Sequence, residues 1–459
     1  MHRNYVRWLL LACQCAATSV IAAPVLLISV DGLHPDYMLE ADRHNLEIPH
    51  LRSFVTVGAY ASGVIGVVPT ITYPSHTTML TGVAPAEHGI VSNTPFDPLS
   101  SNQEGWYWYA EDIRVPTLWS VLASTNRMSA AINWPVTVAD RDIDVLVPEY
   151  WRARNMEDLK LLRALSRPEG VLEGLEARLG PFIEGYTDTV ESDRIRARFA
   201  LAILREHKPY FTAVHLIALD GTQHRDGPFV ASAYATLEAI DAMIGELSTA
   251  ALANDPRTVV AVVSDHGFIA THTAVNLRTR FVAAGLIRLE PAAGADASAK
   301  VASWDAQVWP AGGSAAIMLR DGADRGLRSH VAALLAELAA DADNGIARVL
   351  PAEELKLSGG FPDADFLIEF APGFYAGSAH RGDFLTAATS KGTHGYLPGR
   401  PEMHAAFFVQ GAGIAAGRAL GVIDMRQIAP TLARVLEVAL PGTAQPELPI
   451  GVSEHGHGD

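Results

Sequence analysis

The feature that most constrains this chain is a set of unbroken apolar runs, each met at one end by side chains able to bind a metal. Val25-Leu26-Leu27-Ile28-Ser29-Val30 leads into Asp31-Gly32. Tyr210 to Leu219 leads into Asp220, with His224 four residues on, and Thr258 to Val263 leads into Ser264-Asp265-His266-Gly267. A fourth run, Ala405 to Gln410, follows a loop carrying Gly392-Thr393-His394-Gly395. Apolar runs without period-two alternation read as strands buried on both faces, which requires helices on each side of the sheet. Helical patterns do separate them. Residues 229–250 place Leu237, Ile240, Ile244 and Leu247 on one face. A second helix is expected from an N-cap near Asp424 to about Leu436, with Pro430 marking a kink or a later start. The expected fold class is α/β, with a mainly parallel central sheet and helices on both faces.

Between 272 and 390 the pattern loosens. Gly, Ala and Asp accumulate around a helix expected near 325–341 and short strands near 314–319 and 365–370. This stretch reads as an inserted cap or subdomain, with 23–271 and 391–459 forming the main domain. The 459 residues, 49% of them apolar, suffice for a large core, and a charged content of 19% argues against disorder. A net charge of −16 argues against a nucleic-acid polymer held by its phosphates. A small anionic substrate stays open, because bound divalent cations reverse the local field.

Arg3 and Arg7 precede an apolar stretch from Trp8 to Ala22, followed by Ala23-Pro24. This is the three-part pattern of a secretory signal peptide, residues 1–22, with cleavage expected after Ala22. The mature chain is then expected in the periplasm or outside the cell, without Cys13 and Cys15 and without a transmembrane anchor, since the stretch is too short to span comfortably. A lipoprotein reading at Cys13 leaves only about five apolar residues before the cysteine, against the roughly 7–15 of a signal core.

In doubly wound sheets, ligands bind beyond the carboxyl ends of the strands. Asp31, Asp220, His224, Asp265, His266 and His394 all fall there, or in a loop beside it. Carboxylate and imidazole donors suit zinc, with other divalent cations as alternatives. Each residue alone has a plainer reading: a strand-end Asp caps a helix, an Asp-His pair makes a turn, a Gly-His-Gly is a loop. Their joint placement points to metal. A nucleophile is the missing part, and Pro69-Thr70-Ile71-Thr72-Tyr73-Pro74-Ser75-His76 offers hydroxyls at 70, 72 and 75.

Together with Ala84-Pro85-Ala86-Glu87-His88-Gly89-Ile90 and Asn93, these motifs resemble the alkaline phosphatase superfamily, in its nucleotide pyrophosphatase/phosphodiesterase branch of the bacterial, catalytic-domain-only type. The resemblance runs from the first strand to about Gly413. It implies that Asp31, Thr72, Asp265 and His266 hold one Zn2+, and that Asp220, His224 and His394 hold a second. Thr72 has the family spacing to Tyr73-Pro74, so it is the implied nucleophile ahead of Thr70 and Ser75. A sulfatase would need Cys or Ser at that position. Asn93 is implied to donate to a phosphoryl oxygen, together with the Thr72 N–H. Tyr73 is implied to line the leaving-group or base pocket, with Tyr150 and Trp151 on another wall.

The implied reaction is a double displacement through a covalent threonine diester, on nucleotide-type phosphodiesters or pyrophosphates. No arginine takes the place usual over a monoester phosphate, which favours diesters. A phosphomonoesterase or phosphonate hydrolase on the same site is the alternative. A non-catalytic binding protein retaining the fold is the alternative of another class. Trp106-Tyr107-Trp108-Tyr109 reads equally as base stacking or as packing. His76 and His88 are expected to shape the motif loop, and His455 and His457 to be solvated.

Overall fold

The computed structural model describes residues 22–451 except 103–104, 151–155, 183–186, 292–299 and 444. Residues 1–21 of the expected signal segment, with its two cysteines, and Trp151, His455 and His457 lie outside the described residues. Among those described, an eight-stranded sheet forms the centre. Its order is Arg418–Ala419, Ala59–Tyr60, Phe407–Gln410, Val259–Val263, Val25–Val30, Phe211–Leu216, Ser129–Ile132, Val145–Val147. The last five run parallel to one another. Phe407–Gln410 joins antiparallel to Val259–Val263.

The unalternating runs have a direct physical counterpart. Leu26, Ile28 and Val30 enter one core, packed with Leu237, Ile240, Ile244 and Leu247 of the helix Ala231–Asn254. Val25 and Leu27 enter a second core on the opposite face, packed with Met79 and Leu80 of the helix Thr72–Thr81 and Leu432 of Ile428–Leu436. Each strand residue is therefore desolvated whichever way it points.

Two expected boundaries are corrected. The strand beginning near Tyr210 ends at Leu216, and a helix, Ala218–Asp226, starts before Asp220 is reached. The cause is Asp193, whose carboxylate accepts from the N–H groups of Ile217 (3.0 Å) and Ala218 (2.8 Å) and so nucleates the helix. Asp193 is itself held by the buried Arg196. Asp424 caps a short 3-10 turn, Met425–Gln427, through a reciprocal bond with Gln427. The helix Ile428–Leu436 follows, so Pro430 falls in its first turn, where a missing N–H does no harm.

Within 272–390, Ala306–Ala311, Ser314–Leu319, Phe366–Phe370 and Ile346–Pro351 form an antiparallel sheet. The helix Arg325–Ala340 packs Val331, Leu335 and Leu338 onto it. Both ends of the stretch meet at a stem. Thr273–Val275 pairs with Phe374–Ala376 and Leu385–Ala387, and Ile269–Ala270 pairs with Gly392–Thr393. Trp309, Ala311 and Leu367 pack on Val68 and Ile71, just ahead of Thr72. No helix among the described residues is long and apolar enough to cross a membrane.

Candidate metal and nucleophile site

Four segments deliver the candidate ligands to one end of the sheet. Asp31 follows the central strand, its N–H bonded to the Leu216 carbonyl at 2.9 Å. The chain then turns at Gly32, whose φ of +70° and close approach to Phe268 and Gln223 leave no room for a side chain. The Gly32 N–H donates to Asp265 Oδ1 at 3.0 Å, tying two strand ends together. Asp220 and His224 stand four apart on Ala218–Asp226 and so share a helix face, with His224 Nε2 3.5 Å from Asp220 Oδ1. His394 reaches in from the 392–395 loop, its Nε2 3.7 Å from the same oxygen. His266 stacks on His394 with ring centres 3.6 Å apart.

Two groups of donor atoms result, each within 4.8 Å of one another: Asp31, Asp265 and His266; and Asp220, His266 and His394. His266 belongs to both, and His224 adjoins the second through Asp220. The six carboxylate and imidazole candidates named from sequence are thus brought together, and Thr72, the seventh candidate ligand, lines the same cleft.

Buried polar atoms normally have partners, so those without one identify what the site is built to hold. Asp31 Oδ1, Asp220 Oδ1, Asp265 Oδ2 and both ring nitrogens of His266 are buried with no hydrogen bond. His266 Nε2 and Asp265 Oδ2 lie 3.0 Å apart without the alignment a hydrogen bond needs. The charges agree. Burial and the neighbouring Asp265 and Asp220 push the Asp31 carboxyl well up. Burial also raises Asp220, although His224 and His266 oppose it. Burial acts on Asp265 the same way, but His266 beside it outweighs this and holds its carboxyl well below the usual range. Burial lowers His266, yet Asp265, Asp31 and Asp220 together bring it up to about 9. Burial and the neighbouring His266 and His224 push His394 well down. Three crowded carboxylates that can be relieved only by borrowing protons from imidazoles fit divalent cations.

The imidazoles are set for that task. His224 Nδ1 meets the Gly392 carbonyl at 2.9 Å, and His394 Nδ1 meets the Thr70 carbonyl at 3.2 Å. A carbonyl only accepts, so each Nδ1 carries the proton and each Nε2 turns a lone pair inward.

Thr72 opens the helix Thr72–Thr81 after Ile71 in extended conformation. Of the first-turn donors, the Tyr73 N–H goes to Asn93 Oδ1 at 2.9 Å, Pro74 has none, and the Ser75 N–H returns to the Ile71 carbonyl. The Thr72 N–H remains at the helix mouth, where partial positive charge favours an anion. Asn93, whose oxygen accepts from Tyr73, lines the cleft. His76 anchors the turn, with Nδ1 on the Thr72 carbonyl at 2.8 Å and Nε2 on Ser29 Oγ at 2.8 Å. His88 bonds Thr78 Oγ1 at 3.0 Å. Both histidines therefore do the expected structural work.

A cleft of about 480 Å³ covers these groups, and Thr72, Asn93, Asp31, Asp220, His224 and His394 all line it. Two of the expected pocket residues do not. Tyr73 is fully buried, its hydroxyl donating to Glu149 Oε1 at 2.9 Å, so it backs the site rather than lining it. Tyr150 packs edge-on against Trp108 in the core, ring centres 4.7 Å apart. Among the described residues, Trp106 is the tryptophan that lines the cleft, in edge contact with Tyr73 behind it.

His215 and Glu149 also line the cleft, and sequence reading missed both. His215 Nε2 lies 3.0 Å from Asp31 Oδ2, and its Nδ1 lies 3.0 Å from Glu149 Oε2. Burial lowers His215, but these two carboxylates outweigh it and bring the ring up to about 10. The available signal was a histidine inside an otherwise apolar strand run. Thr187, Asp188 and Ile217 line the cleft as well.

Against known proteins, the family model described as type I phosphodiesterase / nucleotide pyrophosphatase matches residues 25–397. Among curated proteins, the bis(5'-adenosyl)-triphosphatase ENPP4 of Homo sapiens is 34% identical over 127 residues, 26% of each chain. The ectonucleotide pyrophosphatase/phosphodiesterase family member 1 of Rattus norvegicus is 24% identical over 266 residues, 55% of this chain and 25% of that protein. The matches therefore span about a quarter of these relatives' length. Among solved structures, an inactive variant of murine ectonucleotide pyrophosphatase / phosphodiesterase 5 in complex with AMP superposes with a TM-score of 0.63 at 19% identity. That superposition covers 93% of this chain and 96% of the other, and it establishes a common fold.

Proposed function

Since this chain belongs to the type I phosphodiesterase / nucleotide pyrophosphatase family, whose model spans residues 25–397, we propose that it is a divalent-metal-dependent phosphodiesterase with Thr72 as its nucleophile. Its substrates on this reading are nucleotide-type phosphodiesters and pyrophosphates. The observation that carries the proposal is the convergence, in one cleft, of a hydroxyl at a helix N-terminus with partnerless carboxylate and imidazole atoms. The relatives' names and the AMP bound to the murine neighbour support a nucleotide substrate.

Asp31, Asp265, His266 and Thr72 are assigned to one Zn2+, and Asp220, His224 and His394 to the other. When bound, two such ions supply Lewis acidity to the attacking hydroxyl and the leaving oxygen. The chain's own groups do the rest. Thr72 Oγ bonds to phosphorus as the bond to the leaving oxygen breaks, and water then cleaves the threonyl diester and restores Thr72. Asn93 Nδ2 and the Thr72 N–H donate to non-bridging oxygens, whose charge grows during attack. Trp106 offers a face to the base. His224 and His394 hold their Nε2 atoms toward Asp220 through fixed tautomers. We further assign residues 272–390 to a cap subdomain, and residues 1–22 to a signal peptide that sends the chain to the periplasm or outside the cell.

The test is a paired rate on zinc-loaded protein, comparing a p-nitrophenyl nucleotide diester with p-nitrophenyl phosphate. The expected result is a diester rate faster by more than about tenfold, or 1.4 kcal/mol in barrier. A monoester preference overturns the substrate class while keeping the site. No turnover of either, combined with failure to hold two ions, overturns the enzyme reading.

A further inference from the structure

An unbroken buried chain of contacts joins the residue after the nucleophile to a candidate metal ligand. The Tyr73 hydroxyl donates to Glu149 Oε1 at 2.9 Å. Glu149 Oε2 sits 3.0 Å from His215 Nδ1, and His215 Nε2 sits 3.0 Å from Asp31 Oδ2. The four side chains come from four places: the first turn of Thr72–Thr81, the segment just after Val145–Val147, the last residue but one of Phe211–Leu216, and the residue after Val25–Val30. None is more than 4% exposed.

A carboxylate so deep in a protein is costly unless it is paired and hydrogen-bonded, so Glu149 calls for a reason. Its contacts supply one. Because His215 occupies Asp31 Oδ2, the two oxygens of Asp31 become unequal. Oδ1 is left without a hydrogen bond, 3.6 Å from His266 Nε2, on the side of the ligand cluster. His215 keeps that pose because its other nitrogen is fixed by Glu149 and by the Asn133 carbonyl at 3.2 Å. The second Glu149 oxygen reaches the helix that begins at Thr72.

We propose that Glu149 is a positioning residue that holds metal site and nucleophile in register. It orients Asp31 Oδ1 through His215, and it fixes the first turn of the nucleophile helix through Tyr73. The proposal rests on the metal-dependent reading above and adds to it a carboxylate that touches neither ion nor phosphorus. Groups that orient a ligand from behind tune the metal it holds, and their loss costs about 10- to 100-fold in affinity.

The experiment compares wild type, Glu149→Ala, Glu149→Gln and Tyr73→Phe. Zinc stoichiometry and the two zinc affinities are measured by chelator competition, and kcat and KM on a p-nitrophenyl nucleotide diester. Wild type is expected to hold two ions. Glu149→Ala should weaken one ion by about 10- to 100-fold, leave the other near its wild-type affinity, and lower kcat with little change in KM. Tyr73→Phe should keep both ions and lower kcat alone. Glu149→Gln still fills the space and still accepts from Tyr73, so it should recover part of the kcat lost in the alanine variant.

If the Glu149 variants melt lower but bind both ions as wild type does, Glu149 only fills a polar hole and the proposal is overturned. Equal weakening of both ions overturns it as well. Should Glu149→Ala not fold, selective weakening in Glu149→Gln decides the same question. A wild-type protein that holds no pair of ions refutes the metal-dependent reading itself, which the stoichiometry reveals before any variant is compared.

Discussion

His224 and Gly392 are joined by a hydrogen bond of 2.9 Å from the histidine Nδ1 to the glycine carbonyl. The bond ties the helix that carries Asp220 to the loop that carries His394, and it turns His224 Nε2 toward Asp220. A side chain at 392 would spoil it, because a Cβ there would lie 2.6 Å from the Gln223 carbonyl and 3.0 Å from Pro228. Neither obstacle is the flexible end of a side chain. Gly392→Ala is therefore expected to push loop and helix apart and to weaken one zinc ion by about tenfold or more, the usual cost of a lost supporting contact. Chelator competition on the purified variant checks this, and two unchanged affinities would show that the loop does not orient the ligand.

Thr72→Ala removes the hydroxyl but keeps the helix start, since Tyr73, Asn93, Ser75 and Ile71 still make their bonds. Turnover of the diester is expected to fall by about a thousandfold or more, roughly 4 kcal/mol in barrier. Zinc should stay largely bound, because Asp31, Asp265 and His266 remain in place. The measurement is single-turnover rate together with metal content. Wild-type-like turnover would remove Thr72 from the role.

Trp106 and Tyr150 separate pocket from core. Trp106 faces the cleft, whereas Tyr150 is packed on Trp108. Trp106→Ala should raise KM for a nucleotide diester by roughly 5- to 150-fold, the span of a 1–3 kcal/mol base stack. Tyr150→Phe should leave KM within about twofold, because no stacking face is lost. Equal KM values for Trp106→Ala and wild type would place the base elsewhere.

The sheet and the candidate ligands next to its strand ends, Asp31, Asp265 and His266, were legible in sequence for one physical reason. A strand buried on both faces must be apolar throughout, so the first polar side chain after it stands out, and in this fold that is where ligands gather. The same reasoning placed the end of one strand too late. Ile217, Ala218 and Leu219 are as apolar as the strand before them, and the signal that starts their helix is Asp193, remote in sequence. His215 was hidden for the converse reason: as one polar residue inside an apolar run it looked like part of the strand. Glu149 had no local pattern at all, since its partners come from residues 73 and 215. Tyr73 shows the limit of carrying a role by position, because that buried hydroxyl bond decides which way its ring points.

His88 makes the motif block sensitive to acid. The Ile90 N–H donates to its Nδ1 at 3.1 Å, so Nδ1 carries no proton and Nε2 donates to Thr78 Oγ1 at 3.0 Å. Burial pushes its pKa from 6.5 down to about 3. Between those values the unfolded chain binds a proton that the native chain refuses. The stabilisation is therefore complete above about pH 6.5 and is lost as pH falls toward 3, by up to about 1.4 kcal/mol per pH unit. Thr78 lies on the helix that begins at Thr72, so this loss loosens the support of the nucleophile. His88→Asn places an amide oxygen where Nδ1 accepted and removes the titration. Urea midpoints of both proteins, measured from pH 7.5 to 4.5 with excess chelator so that metal release adds nothing, should diverge as the pH drops, with wild type falling faster. Parallel curves would mean that His88 accepts its proton without cost to the fold.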